Sequence, residues 1–347
     1  MRKSTKRSKK FLVVKAILFT MILCFSALLN NREARALDEP IIIDHQHTDI
    51  SLIPSSWIEE AKGAFRISYG HTSHGSQIVS GMDLLKGDPG SLYWFDREGT
   101  SGGLSLHDRE PSGDLGNPDR TTWATRTRDL LNAGGNDRNM IIWSWCGQVN
   151  GSEENVNTYL NLMNQLEIDY PDVTFAYMTG HLNGTGEEGN VNIRNNQIRN
   201  YCTANNKALF DFADIESYDP DGNYFLDRGA EDDCDYNGGN WADEWCAANP
   251  GECESCSCAH SRCLNCRQKG NAFWWMMARL VGWDGNSSTA GDLNRDSSID
   301  AIDVQLCANA VLGVETDPDI VASADVNDDG SVNELDVEEI IDIILEK

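Results

Sequence analysis

Positive charge is scarce in this 347-residue chain: 28 Lys and Arg stand against 55 Asp and Glu. Nine of the 28 fall in residues 1–36, which leaves 19 basic against 54 acidic residues from Leu37 onward. A surface that negative repels phosphate backbones and anionic lipid, so nucleic acid and the membrane surface are excluded as partners. Long apolar runs are scarce too. Phe11–Leu29 is the one present, and it lies between the basic stretch Met1–Lys10 and the small-residue triplet Ala34-Arg35-Ala36. Residues 1–36 therefore read as a secretory signal peptide cleaved before Leu37, with an uncleaved anchor as the alternative. No second such run follows, so the expectation is a secreted protein with no membrane association after signal removal.

Two acidic loops of one layout close the chain. The first is Asp292-x-Asn294-x-Asp296-x-Ser298-x-Asp300-x-x-Asp303, and the second, 33 residues on, is Asp325-x-Asn327-x-Asp329-Gly330-Ser331-x-Asn333-x-x-Asp336. Oxygen ligands spaced in this way along a twelve-residue turn wrap a hard cation. Apolar residues repeat in the same register: Ile299 with Val332, Ile302 with Leu335, Val304 with Val337, Val311 with Ile344 and Leu312 with Leu345. Each unit is thus a loop followed by a short helix, without the entering helix of an EF-hand. On these residues, 291–347 resembles a type I dockerin, a small all-α module. The resemblance implies two bound calcium ions and a cohesin-domain protein as partner. Ser297 replaces the Gly that such a loop prefers, and Ala301-Ile302 and Glu334-Leu335 replace the Ser-Thr pair of many cellulosomal dockerins.

Between the ends, residues 37–283 are long enough for one large domain, and 284–290, rich in Gly, Asn and Ser, reads as a linker. The middle of the chain alternates apolar runs with helical spacing. Strands are expected at 65–69, 140–143, 173–178 and 208–212, with helices at 77–85, 156–168, 193–205 and 272–281. That order predicts an α/β fold, a three-layer parallel sheet flanked by helices, with its site at the carboxyl ends of the strands. Those ends carry Gly70-His71-Thr72-Ser73-His74-Gly75-Ser76-Gln77, then Cys146-Gly147-Gln148, then Gly180-His181, then Asp211 or Asp214.

A Ser on a tight strand-to-helix turn can present its hydroxyl, and Ser73 fits that placement best, with Ser76 second. The block His71-Thr72-Ser73-His74-Gly75 resembles a divergent His-x-Ser-x-Gly branch of the SGNH/GDSL hydrolases, over most of residues 60–283. The resemblance implies Ser73 as nucleophile, His260 before the last helix as base, and a side-chain amide, Gln148 or Asn150, at the oxyanion. Gly102 and Gly103 are the candidates for the family's Gly block. Ser257 stands where the family has its Asp, which leaves Glu254 or Asp214 to orient the imidazole. His71, His74 and His181 would line the pocket.

Seven of eleven cysteines crowd into a segment at 234–266. Cys253, Cys256, Cys263 and Cys266 have zinc-like spacing, but export favours disulfides. The expected function is a secreted serine esterase acting on a carbohydrate ester and docked through calcium. The alternatives are a non-catalytic carbohydrate-binding or scaffold module, and a metal-dependent hydrolase using the Cys/His cluster.

Overall fold

The computed structural model describes residues 37–285, 291–294, 298–327 and 329–345. The signal segment, Asp296, Ser297 and most of the linker lie outside the described residues. Seven strands, β1 (Ile41–Ile43), β2 (Arg66–Gly70), β3 (Phe95–Asp96), β4 (Leu104–Asp108), β5 (Met140–Trp143), β6 (Thr174–Met178) and β7 (Ala208–Phe210), form one sheet in the order β1-β7-β6-β5-β2-β4-β3. Every pairing in it is parallel. The expected α/β architecture with helices on both faces is therefore present.

Central strand β5 shows why the sheet is covered twice. Met140 and Ile142 belong to the core on one face, and Ile141 and Trp143 to the core on the other, all fully buried. Successive strand side chains point to opposite faces, so a strand apolar at every position needs helices on both sides. One layer holds the helices Ser55–Ala64, Ser76–Leu85 and Cys263–Leu280; the other holds Thr122–Leu131, Glu153–Asp169 and Asn190–Ala204. The short strands β1 and β3, and β4 with its sequence Leu104-Ser105-Leu106-His107-Asp108, lack a sequence signal strong enough to be expected. The last helix begins nine residues before its apolar stretch, because Asn265, Lys269, Gly270 and Asn271 interrupt the hydrophobic pattern.

That interruption has a packing cause. Helices Ser76–Leu85 and Cys263–Leu280 cross with backbone against backbone: a Cβ on Gly81 would lie 1.8 Å from the Cys266 carbonyl oxygen, and one on Gly270 would lie 2.3 Å from the Gly81 carbonyl carbon. Only two glycines permit this approach. It holds the turn at 71–75 beside the segment that precedes the last helix.

A third core, around Leu182, Phe225, Leu226, Trp241 and Leu264, roofs the carboxyl edge of the sheet with residues 217–262. Three disulfides, Cys246–Cys253, Cys256–Cys263 and Cys258–Cys266, staple this roof. The chain-entropy treatment credits such short closures with about 2–3 kcal/mol each. Paired sulfur is no longer thiolate, so Cys253, Cys256, Cys263 and Cys266 do not form the zinc site their spacing allowed, and a metal-dependent hydrolase built on them has no ligands.

The C-terminal module has its own core of Leu293, Cys307, Ala324 and Ile340. Its helices are Ala301–Val311, Pro318–Ser323 and Glu334–Leu345, so the second loop is preceded by one helical turn that the sequence pattern did not suggest. Among the described residues no helix is long and apolar enough to cross a membrane.

Replacing Gly81 with Ala forces two backbones apart and is expected to cost about 1–3 kcal/mol or more. Gly63→Ala, in a helix where a Cβ meets nothing within 4 Å, is expected to be neutral or to stabilise by up to about 1 kcal/mol. Urea midpoints of the two variants check this.

Candidate functional site

The turn after β2 brings four of the expected residues to the carboxyl edge, and their contacts separate them. His71 is buried, with Nδ1 donating to the Thr72 carbonyl (2.7 Å) and Nε2 2.5 Å from Asp108 Oδ1 at the end of β4. Both ring nitrogens are spent, one on the turn's own backbone and the other on tying the turn after β2 to the end of β4. Ser76 donates its hydroxyl to the Ser73 carbonyl (2.6 Å), which closes the first helical turn. Ser73 is half-buried, and its Oγ makes no hydrogen bond among the described residues. Gly75 allows the turn to sit against β5, since a Cβ there would lie 2.3 Å from Ser144 Oγ and 2.4 Å from His71 Cβ.

His74 is the centre of the edge. Its Nε2 lies 2.8 Å from Asp232 Oδ2 and its Nδ1 3.2 Å from the sulfur of Cys146. Its ring is stacked between those of His181 (centroids 3.8 Å apart) and His260 (4.5 Å). Burial pulls the His74 pKa down, but the hydrogen bonds to Asp232 and Cys146 outweigh it and lift the value to about 9. The same contact with His74 is the main cause that lowers the Cys146 thiol, against burial, and the Gly147 N–H adds to it. Asp232 is also held low: burial opposes ionisation, but His74 and then His181 favour the carboxylate. The other three unpaired thiols are buried, and burial raises Cys202, Cys234 (to about 12) and Cys307 (to about 11).

His260 and His181 stack on this group without hydrogen-bonding to His74 or Cys146. His260 is exposed, has a left-handed backbone (φ 58°) and makes no hydrogen bond to Ser73 or to a carboxylate among the described residues. Glu254 is exposed in the stapled roof, and Asp214 is bound to His45 at 2.5 Å. Neither of the expected orienting acids reaches His260. His181 donates Nδ1 to the Leu182 carbonyl (2.7 Å), and burial keeps its pKa low. Gln148 accepts the Cys146 N–H on Oε1 (3.2 Å) and donates Nε2 to Asp114 (3.2 Å), whereas Asn150 is taken by Asn190 (2.8 Å). Gly102 and Gly103 precede β4 and so lie at its amino end, away from the site.

Behind the edge, the fully buried Lys269 donates to Glu216 (2.6 Å) and to Gln77. Glu216 in turn accepts the Leu182 N–H (2.7 Å), and Gln77 donates to the Ala259 carbonyl (2.7 Å). One ammonium therefore fixes the segments that carry both flanking imidazoles.

His74, His181 and Asp232 bring three ligand-type atoms within 4.8 Å of one another. The imidazole planes, however, are parallel within 2°, so their in-plane lone pairs run side by side and do not converge on an ion. A shallow surface depression of about 430 Å³, lined by Glu153, Ile193, Arg194 and Gln197 among others, contains none of the groups around His74.

The sequence pattern missed Asp232 and the role of Cys146. Asp232 lies 158 residues from His74 inside an acidic run, where spacing carries no signal. For Cys146, the available signal was a cysteine beside Gly147 at the end of the most apolar strand.

The two terminal loops repeat in three dimensions. Asp303 Oδ1 accepts the N–H groups of Leu293 (2.8 Å) and Asn294 (3.2 Å), and its Oδ2 accepts that of Asp300 (2.9 Å). Asp336 makes the equivalent bonds to Val326 (2.9 Å), Asn327 (3.3 Å) and Asn333 (2.8 Å). Both twelfth-position carboxylates are fully buried, and Gly330 supplies the left-handed sixth position of the second loop (φ 86°). An all-oxygen donor set with loop backbones gathered on a buried carboxylate fits calcium. Asp292, Asn294, Ser298, Asp300, Asp325, Asn327, Asp329, Ser331 and Asn333 offer the remaining oxygens, with Asp296 outside the described residues. Apart from Val311, which is half-buried outside the module's core, the matched apolar residues divide in two. Ile299, Val304, Val332, Val337 and Ile344 pack inward, whereas Ile302 and Leu335 are 54% and 55% exposed, and Leu312 and Leu345 are 74% and 77% exposed.

The chain thus joins a parallel α/β domain with a titratable cluster at its carboxyl edge to a duplicated calcium-loop module. Residues 290–345 match the Dockerin type I domain family, so this part of the chain is a dockerin, a calcium-binding module that implies a cohesin-bearing partner. No curated protein and no solved structure matches the chain.

Because the folded pKa of His74 is raised from 6.5 to about 9, its pairing stabilises the fold fully below pH 6.5, and that contribution is lost as pH rises through about 9. Asp232→Asn should therefore narrow its stability gap to wild type across that window, and NMR titration should find His74 protonating at lower pH in the variant. Calcium titration of the full chain is expected to fill two sites, and Asp303→Ala and Asp336→Ala each to weaken one of them by about tenfold or more. Calorimetry reads both.

Proposed function

We propose that this protein is an exported ester hydrolase that removes acyl groups from a carbohydrate and is held to a cohesin-bearing partner by its dockerin. The observation that carries the reading is His74, oriented by Asp232 at the carboxyl edge of a parallel sheet, with nucleophilic side chains beside it. Two side chains there can attack a carbonyl: the hydroxyl of Ser73, which the SGNH/GDSL resemblance nominates, and the thiol of Cys146. A buried imidazole with a carboxylate on its far nitrogen can accept a proton from the attacking group and return it to the leaving alcohol. The Gly147 N–H, which faces the Cys146 thiol, and the second N–H of the Gln148 amide, whose first is held by Asp114, would serve as donors to the developing oxyanion. The carbohydrate part of the reading is supported by the dockerin, through the kind of assembly such modules serve, and by the export signal.

Calcium-loaded full-length protein is expected to hydrolyse some members of a panel of acetylated sugars and short-chain esters. His74→Ala should lower kcat by about 10²–10⁴-fold. Equal turnover in wild type and variant would remove His74 from the reaction. No turnover on any ester would defeat the ester-hydrolase reading and leave only the dockerin's anchoring role.

A further inference from the structure

The geometry points to Cys146, rather than a serine hydroxyl, as the nucleophile: a Cys146–His74–Asp232 thiol relay that forms a thioester with the acyl group of the substrate. The inference rests on the ester-hydrolase reading and names the attacking atom within it.

Three observations converge. The first is connectivity. Sγ of Cys146 and Oδ2 of Asp232 sit on opposite nitrogens of one imidazole, at 3.2 and 2.8 Å, and come from separate elements: the end of β5, the turn before helix Ser76–Leu85, and the roof. The roof position is fixed by backbone and amide contacts, since Gly184 N–H donates to the Ala230 carbonyl (3.2 Å) and Asn265 donates to the Asp232 carbonyl (3.4 Å). Chance proximity does not usually leave both nitrogens satisfied by a nucleophile on one side and a carboxylate on the other.

The second is contrast among the four unpaired cysteines of the described residues. Cys202, Cys234 and Cys307 are buried among apolar groups that keep their thiols protonated, whereas Cys146 is half-exposed at a strand end and meets a cation. A lowered thiol in a partly exposed, electropositive niche marks a reactive cysteine. The third is the state of Ser73. A hydroxyl needs a base in contact with it to attack at neutral pH, and both imidazoles of the turn that carries Ser73 are already engaged, His71 by Thr72 and Asp108 and His74 by Cys146 and Asp232.

The charged and titratable groups facing the pair are Asp114 from the loop after β4, Asp232, His181 and His260, with Lys269 and Glu216 behind. Asp114 opposes the thiolate, and His74 outweighs it. In the first half-reaction the thiolate sulfur bonds to the ester carbonyl carbon. The C–O bond to the alcohol breaks, and the leaving oxygen takes the proton from Nδ1 of His74. In the second, His74 withdraws a proton from water, the hydroxide attacks the thioester carbon, and the C–S bond breaks to release the acid and restore the thiolate. Water is the only co-reactant.

The test uses calcium-loaded full-length wild type with Cys146→Ala, Cys146→Ser, His74→Ala and Ser73→Ala, and reads two signals. Iodoacetamide alkylation, followed by peptide mass, should modify Cys146 at pH 6 at least tenfold faster than any other cysteine. His74→Ala should lose that advantage and recover it only as pH approaches the ordinary thiol range near 8.5. Both Cys146 variants should lose ester turnover by at least about 10³-fold while remaining cooperatively folded in urea titration. Slow alkylation of Cys146 at pH 6, or turnover that survives in Cys146→Ala and disappears in Ser73→Ala, overturns the inference. Fast His74-dependent alkylation without turnover on any ester upholds the thiol relay and defeats the ester-hydrolase reading instead.

Discussion

A buried ammonium has to be satisfied, and the carboxyl edge of this sheet is arranged around that requirement. Lys269 is inaccessible to water, and burial alone pushes its pKa down; Glu216 and Gln77 hold the charge, with the ring of Phe212 3.8 Å away. Removing one partner of such a pair strands the other in a low-dielectric interior, a cost of about 3–5 kcal/mol. The pair therefore acts as a clamp whose two jaws each have a second task. Glu216 fixes the backbone beside His181, and Gln77 fixes the backbone beside His260. The stack of three imidazoles is thus built from behind, by one cation that never touches it.

Stacking has an electrostatic consequence. Stacked His74 and His181 disfavour charge on both rings at once, and the hydrogen bonds decide which one carries it. His74 has Asp232, whereas His181 has only a carbonyl for its Nδ1, with the carboxylate at 3.9 Å, so burial dominates and His181 stays neutral. Charge is concentrated on the middle ring, which is the one against the sulfur. His181 covers one face of it without competing for its proton.

How much of this was legible in the sequence depends on the range of the signal. The central strands β2, β5, β6 and β7 are apolar runs between turn residues, and the helices that cover them are strongly periodic, so the α/β sheet follows from local pattern. The acidic loops are equally local, and their duplication, down to Asp303 and Asp336 gathering equivalent N–H groups, can be read position by position. The relay is not local. His74, Cys146 and Asp232 are separated by 72 and 158 residues along the chain in their hydrogen bonds, and nothing short-range requires Asp232 rather than its acidic neighbours to turn inward. The same limit applies to His260: its place before the last helix was legible, but its neighbour in space, the ring of His74, was not. The cysteines form the disulfides that export favours, but their pairing was not legible. Two pairs at zinc-like spacing and a set of short disulfides share one sequence pattern, and only the backbone path separates them.

The crossing of helices Ser76–Leu85 and Cys263–Leu280 at Gly81 and Gly270 sets a gauge. Because two main chains meet there, no side chain can be lengthened or trimmed to alter the spacing, and the turn that carries Ser73 and His74 is held at a fixed interval from the segment that ends in His260. The residues on the two sides of that interval can change identity, and so change the chemistry between them, without changing where they stand.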